Sequence, residues 1–246
     1  MDPLMPTQPL FREDAYAAEN PATVLESSEA GVILDSSVFY PRAGGQPGDT
    51  GTVVWDGGEM AVADTVKGPD GSALHVPAPG ATVPPAGTRV AARLDWNRRH
   101  RHMRMHTTLH LLCAAMPGIY ATGNQIGAEK SRLDFDLPEP PTKEWVTERL
   151  NELIAGDHPI GERWITEAEL DANPGLVRTL SVQPPRGAGQ IRLVRIGAED
   201  APVDLQPCGG THVRRTGEIG RVEVTKMESK GKQNRRIHIV LVEEDK

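Results

Sequence analysis

The sequence predicts an α+β fold, in which a small N-terminal β-barrel is followed by a two-layer α/β sandwich. Before Asp95, short β-like runs alternate with clusters of turn residues, as expected for a small all-β domain. After Asp95, helical periodicity and strand-like runs occur in turn. We therefore expect two domains, residues 1–95 and 96–246, in a chain long enough to bury a substantial core.

Turn residues separate the expected strands of the N-terminal domain. Asp56-Gly57-Gly58 predicts a hairpin turn between two of them. Ala43-Gly44-Gly45-Gln46-Pro47 predicts a loop whose glycines would let a ligand approach closely, although a glycine pair is usually only a turn. The proline-rich stretch 76–87 predicts a surface excursion. The expected strands are Thr23–Leu25, Gly31–Leu34, Gly51–Trp55, Met60–Val66 and Arg89–Leu94.

A long amphipathic helix is expected at the start of the C-terminal domain, between Arg98 and Met116. Asn97 is its expected cap, and Pro117-Gly118 should end it. Further helices are expected at Thr142–Ile154, with Thr142 as cap, and at Glu167–Ala172. The expected strands are Ser131–Asp136, Ile191–Ile196, Gly220–Met227 and Arg236–Val242.

Composition limits the possible environments of the chain. Two cysteines, Cys113 and Cys208, make no disulfide framework, which favours a reducing, cytoplasmic location. No run of about 20 apolar residues occurs, so no membrane-spanning helix and no membrane partner are expected. The formal net charge of −7 disfavours general nucleic-acid binding.

Two pairs of metal-binding side chains are spaced four residues apart. His106 and His110 would project from one face of the long helix, and Cys208 and His212 flank a glycine-rich segment far downstream. Two histidines on an amphipathic helix are more often a core residue and a surface residue than a metal site. The combined His/His/Cys/His set nevertheless matches the donors that zinc prefers, and we expect one zinc ion per chain.

These residues have other interpretations. Thr107 stands where a metalloprotease helix of this spacing needs a glutamate, so peptidase chemistry is disfavoured. Cys113 competes with Cys208 as a ligand, but a small buried thiol is the favoured interpretation for Cys113. Four protein ligands would complete a tetrahedral shell, so the general base stays unassigned, with His106, His110 and Cys208 as candidates.

Five segments in one order resemble a known family. Two of them, DWNRRHRHMRMHTTLHLLC from Asp95 and QPCGGTHVRRTGEIG from Gln206, are similar to the paired signatures of the editing domain shared by alanyl- and threonyl-tRNA synthetases. The closest similarity is to the free-standing alanyl-tRNA editing proteins, the AlaX family. The other three are FYPRAGGQPGDTG from Phe39, TGNQIGAEKSRLDFD from Thr122 and LVRTLSVQPPRGAGQIRLVRIG from Leu176.

This resemblance implies the fold of the synthetase second additional domain and a trans-editing hydrolase. Its substrate would be tRNA(Ala) carrying a wrong amino acid, namely serine or glycine, whose order of preference the sequence does not indicate. No obligate protein partner is evident. One alternative is a deacylase of the same fold acting on another mischarged tRNA. The other is a non-catalytic, zinc-stabilised RNA-binding module.

Substrate contacts are expected in two places. A buried polar group that bonds the serine hydroxyl would be left unpaired by alanine, and so would discriminate between the two. Thr122, Thr108 and Gln125 are the candidates, and the resemblance favours Thr122; the alternative for Thr122 is a backbone cap. The resemblance also implies that Gly44, Gly45 and Gln46 face the editing site.

Two runs of basic residues are candidates for phosphate contacts with the tRNA. Such runs are more often solvated faces than binding sites, but two runs near one proposed site favour a polyanion. The first run is Arg98, Arg99, Arg101 and Arg104, and the second is Lys226, Lys230, Lys232, Arg235 and Arg236.

Overall fold

The computed structural model describes residues 7–179, 189–231 and 233–243. The chain divides into two compact units, Met1–His100 and Arg101–Lys246. The predicted α+β class is confirmed, with a closed barrel in the first unit and helices with two antiparallel sheets in the second. Within the described ranges, no helix combines the length and the hydropathy needed to cross a membrane.

The first unit is built on a closed six-stranded barrel in the order β2-β3-β7-β6-β5-β8. Two further short strands, β1 and β4, pair in parallel beside it. The strands are β1 Gln8–Pro9, β2 Glu19–Ser28, β3 Gly31–Leu34, β4 Ser36–Ser37, β5 Gly51–Trp55, β6 Gly58–Lys67, β7 Ala73–Pro77 and β8 Arg89–Leu94.

The barrel follows from alternating burial along its strands. In β2 and β6, every second residue over most of the strand points into the interior. The interior is filled mainly by branched aliphatic side chains, with Phe39 and Met60 completely buried. Trp55 pairs with Gly58 across the predicted hairpin turn, which is confirmed.

The strand β7 was not predicted. It lies between β3 and β6 and is required to close the barrel. Val76 and Pro77 end this strand, so the proline-rich stretch forms its irregular path only after Pro77. Pro77 obscured the strand because proline usually marks a turn or an edge.

The long helix, α1, spans Trp96–Ala115. Its cap is Asp95 and not Asn97, because the Asp95 carboxylate accepts a hydrogen bond from the Arg98 amide at 3.1 Å. Asn97 therefore lies inside the first turn. The chain turns at Pro117-Gly118, where Gly118 takes a φ of 78°, as predicted.

The second unit contains two sheets. The larger has the strand order β14-β15-β10-β9, and the smaller has the order β11-β12-β13. The strands are β9 Ala121–Gln125, β10 Lys130–Asp136, β11 Ile160–Thr166, β12 Gln190–Gly197, β13 Pro202–Pro207, β14 Val222–Ser229 and β15 Asn234–Leu241. The remaining α-helices of the described chain are α2 Lys143–Ala155 and α3 Glu167–Ala172.

The helix α2 covers the free edge of β14. Asn151 both accepts from the Val222 amide at 3.1 Å and donates to its carbonyl at 2.9 Å, while Thr147 accepts from the Val224 amide at 3.1 Å. These bonds satisfy the backbone groups that an open edge would expose. The predicted cap of α2 is confirmed, because Thr142 accepts from the Trp145 amide.

The smaller sheet has two different faces. Ile165, Ile191 and Leu193 pack with Leu170 of α3 in an apolar cluster on one face. The other face carries Asp204 and Gln206 of β13, and both side chains are buried. That second face leads to the candidate site.

Candidate functional site

Four side chains from two distant segments meet in the second unit. His106 and His110 come from α1, Cys208 directly follows β13, and His212 follows four residues later. One donor atom of each lies within 4.8 Å of those of the other three. The arrangement has the geometry to hold one metal ion, and the three imidazoles are buried.

The side chains of these four residues lie close to one another. The Cys208 sulfur lies 3.3 Å from Nε2 of His212 and 3.5 Å from Nε2 of His106. The ring centroids of His106 and His212 are 4.3 Å apart, and those of His110 and His212 are 4.6 Å apart. All four donors therefore point at one small volume.

A hydroxyl on α1 fixes the orientation of His212. The Thr107 hydroxyl donates to the Met103 carbonyl at 2.9 Å, so its single proton is already used. Its oxygen lies 3.1 Å from Nδ1 of His212 and therefore accepts from that nitrogen. The proton of His212 is then on Nδ1, which leaves Nε2 free as a donor toward the group.

A carboxylate orients His110 in a similar way. Oδ2 of Asp204 lies 3.0 Å from Nδ1 of His110, and Gln206 donates to the same oxygen at 2.8 Å. All three side chains are buried. A carboxylate that holds Nδ1–H of a metal-binding histidine is the usual outer partner of such a ligand.

The backbone around Cys208 is held by Arg192 of β12. The guanidinium donates to the carbonyls of Cys208 and Gly210, both at 2.9 Å. The Gly210 amide points at the Cys208 sulfur at 3.4 Å. This amide stabilises a thiolate, because a backbone N–H is a fixed partial positive charge.

The electrostatics of the group favour the metal-binding protonation states of Cys208 and His212, but they favour a protonated His110. Burial raises the pKa of Cys208, but the adjacent His106 and His212 lower it well below its usual value. Burial and the charge of His106 hold the pKa of His212 well below its usual value. Burial lowers the pKa of His110, but hydrogen bonds with Asp204 and Cys208 outweigh it and raise that pKa to about 10.

Cys113 does not belong to the group of four. Its side chain is buried, and burial raises the pKa of its thiol to about 12. A neutral thiol is a poor metal ligand. These properties fit the interpretation of Cys113 as a small core residue.

Family models match both parts of the chain. The model described as Threonyl and Alanyl tRNA synthetase second additional domain matches residues 191–238, and that of tRNA synthetases class II (A) matches residues 12–98. An alanyl-tRNA editing protein AlaX-M of Methanosarcina mazei is 35% identical over 97% of this chain and 98% of its own length. This chain belongs to the AlaX-M family of alanyl-tRNA editing proteins.

Other relatives agree with this assignment. The AlaX-M protein of Methanosarcina barkeri is 36% identical over 96% of this chain and 100% of its own length. An alanine–tRNA ligase of Pyrobaculum calidifontis is 38% identical over 90% of this chain but only 25% of the ligase. The similarity therefore extends to a quarter of a much longer synthetase, and the predicted resemblance is confirmed.

Among the AlaX-type pocket candidates, Thr122 has an unusual environment. Asp134 pairs with Gly123 and Phe135 with Ala121, so Thr122 is the extra residue of a β-bulge in β9. Within the described chain, its buried hydroxyl oxygen has no hydrogen-bond partner. A backbone cap, the alternative interpretation, would have given this oxygen a partner.

The other two hydroxyl-sensor candidates are engaged or exposed. Thr108 is buried on α1 and donates to the Arg104 carbonyl at 2.8 Å. Gln125 is exposed on the edge strand β9 and accepts from Arg132 at 3.2 Å. Thr122 therefore remains the candidate with a free buried hydroxyl.

The glycine-rich loop of the first unit is a tight turn. Ala43 and Gln46 exchange backbone hydrogen bonds of 3.2 and 2.9 Å, and Gly44 and Gly45 take φ angles of 58° and 87°. Two successive positive φ angles are the reason for the glycine pair. Gly44 and Gly45 are exposed, whereas the Gln46 side chain is completely buried.

The first basic run is largely structural, and Arg99 requires a correction. Arg99 is completely buried; its Nε donates to both carboxylate oxygens of Asp49, at 2.9 and 3.1 Å. It also donates to the carbonyls of Ala15 and Val38. The expectation that Arg99 contacts phosphate was wrong, because its charge is already neutralised inside the first unit.

The other arginines of this run are partly engaged. Arg98 donates to the Gly48 carbonyl at 2.6 Å, and Arg101 donates to Ala128 and pairs with Glu243. Arg104, with 15% of its side chain exposed, donates to the Ile219 carbonyl at 2.7 Å. Arg98 and Arg101 keep more solvent contact than Arg99, which makes them better candidates for contact with an external anion.

The described residues of the second basic run lie on the β14–β15 hairpin. Lys226 and Lys230 are exposed and share Glu228 as an ion-pair partner. Arg235 donates to the Pro138 carbonyl, and Arg236 pairs with Asp134. Lys232 lies outside the described residues, as do residues 180–188 of the segment that starts at Leu176.

Several residues of the site were not singled out from the sequence. Asp204, Gln206 and Arg192 lie on strands, and Thr107 was considered only as a missing glutamate. Asp204 and Gln206 are polar residues with two-residue spacing just before Cys208, which is the signal that could have identified them. Their function becomes apparent only when β13 lies beside α1.

Proposed function

We propose that this protein hydrolyses the ester bond of mischarged tRNA(Ala) in trans, with seryl-tRNA(Ala) as the main substrate and glycyl-tRNA(Ala) as the second. The observation that supports the proposal most strongly is the buried group of His106, His110, Cys208 and His212. It occurs in a chain similar to alanyl-tRNA editing proteins over almost its whole length. The products would be free amino acid and tRNA.

The group is proposed to hold one zinc ion. Three imidazoles and a thiolate are the donors that zinc prefers, and the partners of Nδ1 in His110 and His212 leave Nε2 free for a ligand bond. When bound, zinc supplies a positive charge that polarises a carbonyl or a water molecule. Cys208 must lose its proton to bind a cation. Because the pKa of its thiol is lowered well below the usual value, this loss costs little free energy.

The residues of this chain would position the ester and the attacking water. An aminoacyl ester is already activated, so orientation and stabilisation of the developing oxyanion supply much of the rate. His106, His110 and Cys208 remain candidates for the group that accepts the proton of water. Only a residue of the three that does not bind the metal could take this role, so the base stays unassigned.

The amino-acid pocket is proposed to include Thr122. Its buried hydroxyl can bond the serine side chain, which alanine lacks, so alanyl-tRNA would leave it unpaired. Gly44, Gly45 and Gln46 are proposed as the loop that contributes to substrate choice. Thr108 and Gln125 are secondary candidates for polar contacts.

The tRNA would be bound mainly by charges of the second basic run, at Lys226, Lys230, Lys232 and Arg235, with Arg98, Arg101 and Arg104 in support. This proposal omits Arg99. We further propose a two-domain organisation, residues 1–95 and 96–246, with the editing chemistry in the second domain. A cytoplasmic location without an obligate protein partner completes the proposal.

Turnover of purified seryl-tRNA(Ala) tests this function. The protein should release free serine catalytically and leave alanyl-tRNA(Ala) largely intact. Binding of tRNA without release of serine would support the silent RNA-binding module instead. Faster hydrolysis of a different mischarged tRNA would support the alternative deacylase.

A further inference from the structure

One face of the smaller sheet continues from the metal-binding group to an exposed tryptophan. Asp204 and Gln206 of β13 lie on this face, opposite Ile196 and Val194 of β12. Directly opposed residues of an antiparallel pair share a face, so Val194 and Arg192 lie on it too. Asp204 contacts His110, which identifies this face as the one directed at the group of four.

Trp164 of β11 lies on the same face, in the row of the metal-binding cysteine. Trp164 pairs with Arg192, and the Cys208 amide donates to the Arg192 carbonyl at 3.1 Å. The row across the three strands is therefore Trp164, Arg192 and Cys208. Two strand spacings place Trp164 about 10 Å from Cys208.

The neighbours of Trp164 are fixed, but Trp164 itself is exposed. Arg192 is held by the carbonyls of Cys208 and Gly210 and pairs with Glu162 at 2.5 Å. Trp164 has 47% of its surface exposed, and the apolar cluster of this sheet forms on the opposite face. A large exposed aromatic ring on a rigid strand beside a polar site suits binding better than core packing.

We propose that Trp164 stacks against the base of the terminal nucleoside of the substrate RNA and so positions its ester at the metal-binding group. This inference rests on the proposed function. The terminal ribose carries both the base and the ester, so a base platform about 10 Å from Cys208 leaves room for the ribose and the acyl group. Stacking on an aromatic ring requires no hydrogen-bond recognition of the base.

Among the described strands of this sheet, no other exposed aromatic side chain on this face could stack against a base. At the positions in line with Trp164 along β11 are Glu162, which pairs with Arg192, and Ile160. Arg192 is committed to the Cys208 loop and keeps the distance between platform and group fixed. Trp164 would therefore be a positioning residue, with no part in proton transfer.

The test compares Trp164→Ala, Trp164→Phe and Trp145→Ala in hydrolysis of seryl-tRNA(Ala). Loss of one base–aromatic stack should lower kcat/KM about five- to 150-fold in Trp164→Ala. Trp164→Phe should recover most of this loss. Trp145 is a matched control, because it is 45% exposed but lies on α2; its replacement should leave kcat/KM unchanged. The metal content of all three variants should equal that of the wild type.

A second measurement changes the substrate as well as the protein. Seryl esters of a short RNA ending in CCA are compared with the same RNA lacking the terminal base. The wild type should lose a similar factor on the abasic substrate, and Trp164→Ala should not distinguish between the two substrates. The inference would be overturned if Trp164→Ala, compared with the wild type, lost the same factor in kcat/KM on both substrates. It would also be overturned if Trp164→Ala lost no activity on either substrate.

Two further outcomes are distinguishable. A wild-type protein that hydrolyses neither substrate would contradict the proposed function, and the inference would fall with it. Full activity of Trp164→Ala together with altered sedimentation would instead mean that Trp164 contacts a second copy of this chain, and the inference would be wrong while the function stands.

Discussion

At the scale of single residues, the hydroxyl of Thr122 is the most informative group of the proposed pocket. It is buried on a bulge and, within the described ranges, has no hydrogen-bond partner. An unpaired buried hydroxyl costs about 1 to 3 kcal/mol, which a serine side chain could recover in the bound state. Thr122 therefore suggests a site that is completed by the substrate.

We predict that Thr122→Val will lower the preference for serine over alanine about two- to tenfold, because valine keeps the branched shape and loses the hydrogen bond. Rates on seryl-, alanyl- and glycyl-tRNA(Ala) and the free energy of unfolding should be measured together. Stability should not fall, because no bond within the protein is lost. Glycyl-tRNA(Ala) is the control, since it has no side chain to bond; equal loss on serine and glycine substrates would show a structural role.

Arg99 illustrates how a basic residue in a functional-looking run can be structural. Replacing it with glutamine leaves the Asp49 carboxylate buried without its cation. We predict that Arg99→Gln lowers the free energy of unfolding by about 3 to 5 kcal/mol, measured by denaturant titration. Arg98→Gln is the control, because Arg98 is only half-buried and its charge has no comparable partner; a similar small effect of both changes would contradict the account.

At the scale of elements, His75 connects two strands of the barrel with the short strand β4 beside it. It lies on β7, its Nε2 is 2.8 Å from the Ser37 hydroxyl of β4, and its Nδ1 is 3.1 Å from the Val32 carbonyl of β3. Burial lowers its pKa from 6.5 to about 4, although backbone hydrogen bonds oppose the shift. The folded barrel therefore excludes a proton that the unfolded chain binds.

The sign of the resulting pH dependence follows from this lowered pKa. The contribution of neutral His75 is fully present above pH 6.5 and is lost as the pH falls towards 4. The wild type should lose about 3 kcal/mol more stability than His75→Gln between pH 7 and pH 4. Unfolding curves of both proteins at several pH values test this, and parallel pH profiles would show that His75 is not the responsible group.

The elements that the sequence predicted are those with a clear apolar period. Four strands of the barrel, α2 and α3 were expected near their observed bounds. The strands β9, β11 and β13 were not predicted. Polar residues in these strands interrupt the alternation of apolar and polar residues that indicates a strand. In β13, Asp204 and Gln206 are polar because they face the site, and prolines at both ends resemble turn signals.

At the scale of the whole molecule, the candidate metal ligands were predictable and their supporting residues were not. The i, i+4 spacing of His106 and His110, and of Cys208 and His212, is visible in the sequence. Asp204 and Thr107 orient two of these histidines only because β13 and the Cys208 loop pack beside α1. Such long-range partners leave little local signal.

The distribution of charge was also only partly predictable. From the net charge of −7 and the two basic runs, the sequence alone could not decide which run contacts the phosphates of tRNA. Arg99 proved to be neutralised by Asp49, and Arg104 is mostly covered. The exposed Lys226 and Lys230 therefore make the second run the better candidate for contact with phosphates.

The most direct test of the central claim measures metal content and seryl-tRNA(Ala) hydrolysis together in the wild type, Cys208→Ala and Cys113→Ala. The wild type should contain about one zinc ion per chain. Cys208→Ala should lose zinc and at least about tenfold of the activity together, whereas Cys113→Ala, which removes the other thiol, should retain both. Full zinc and activity in Cys208→Ala, or loss of zinc in Cys113→Ala alone, would contradict the account.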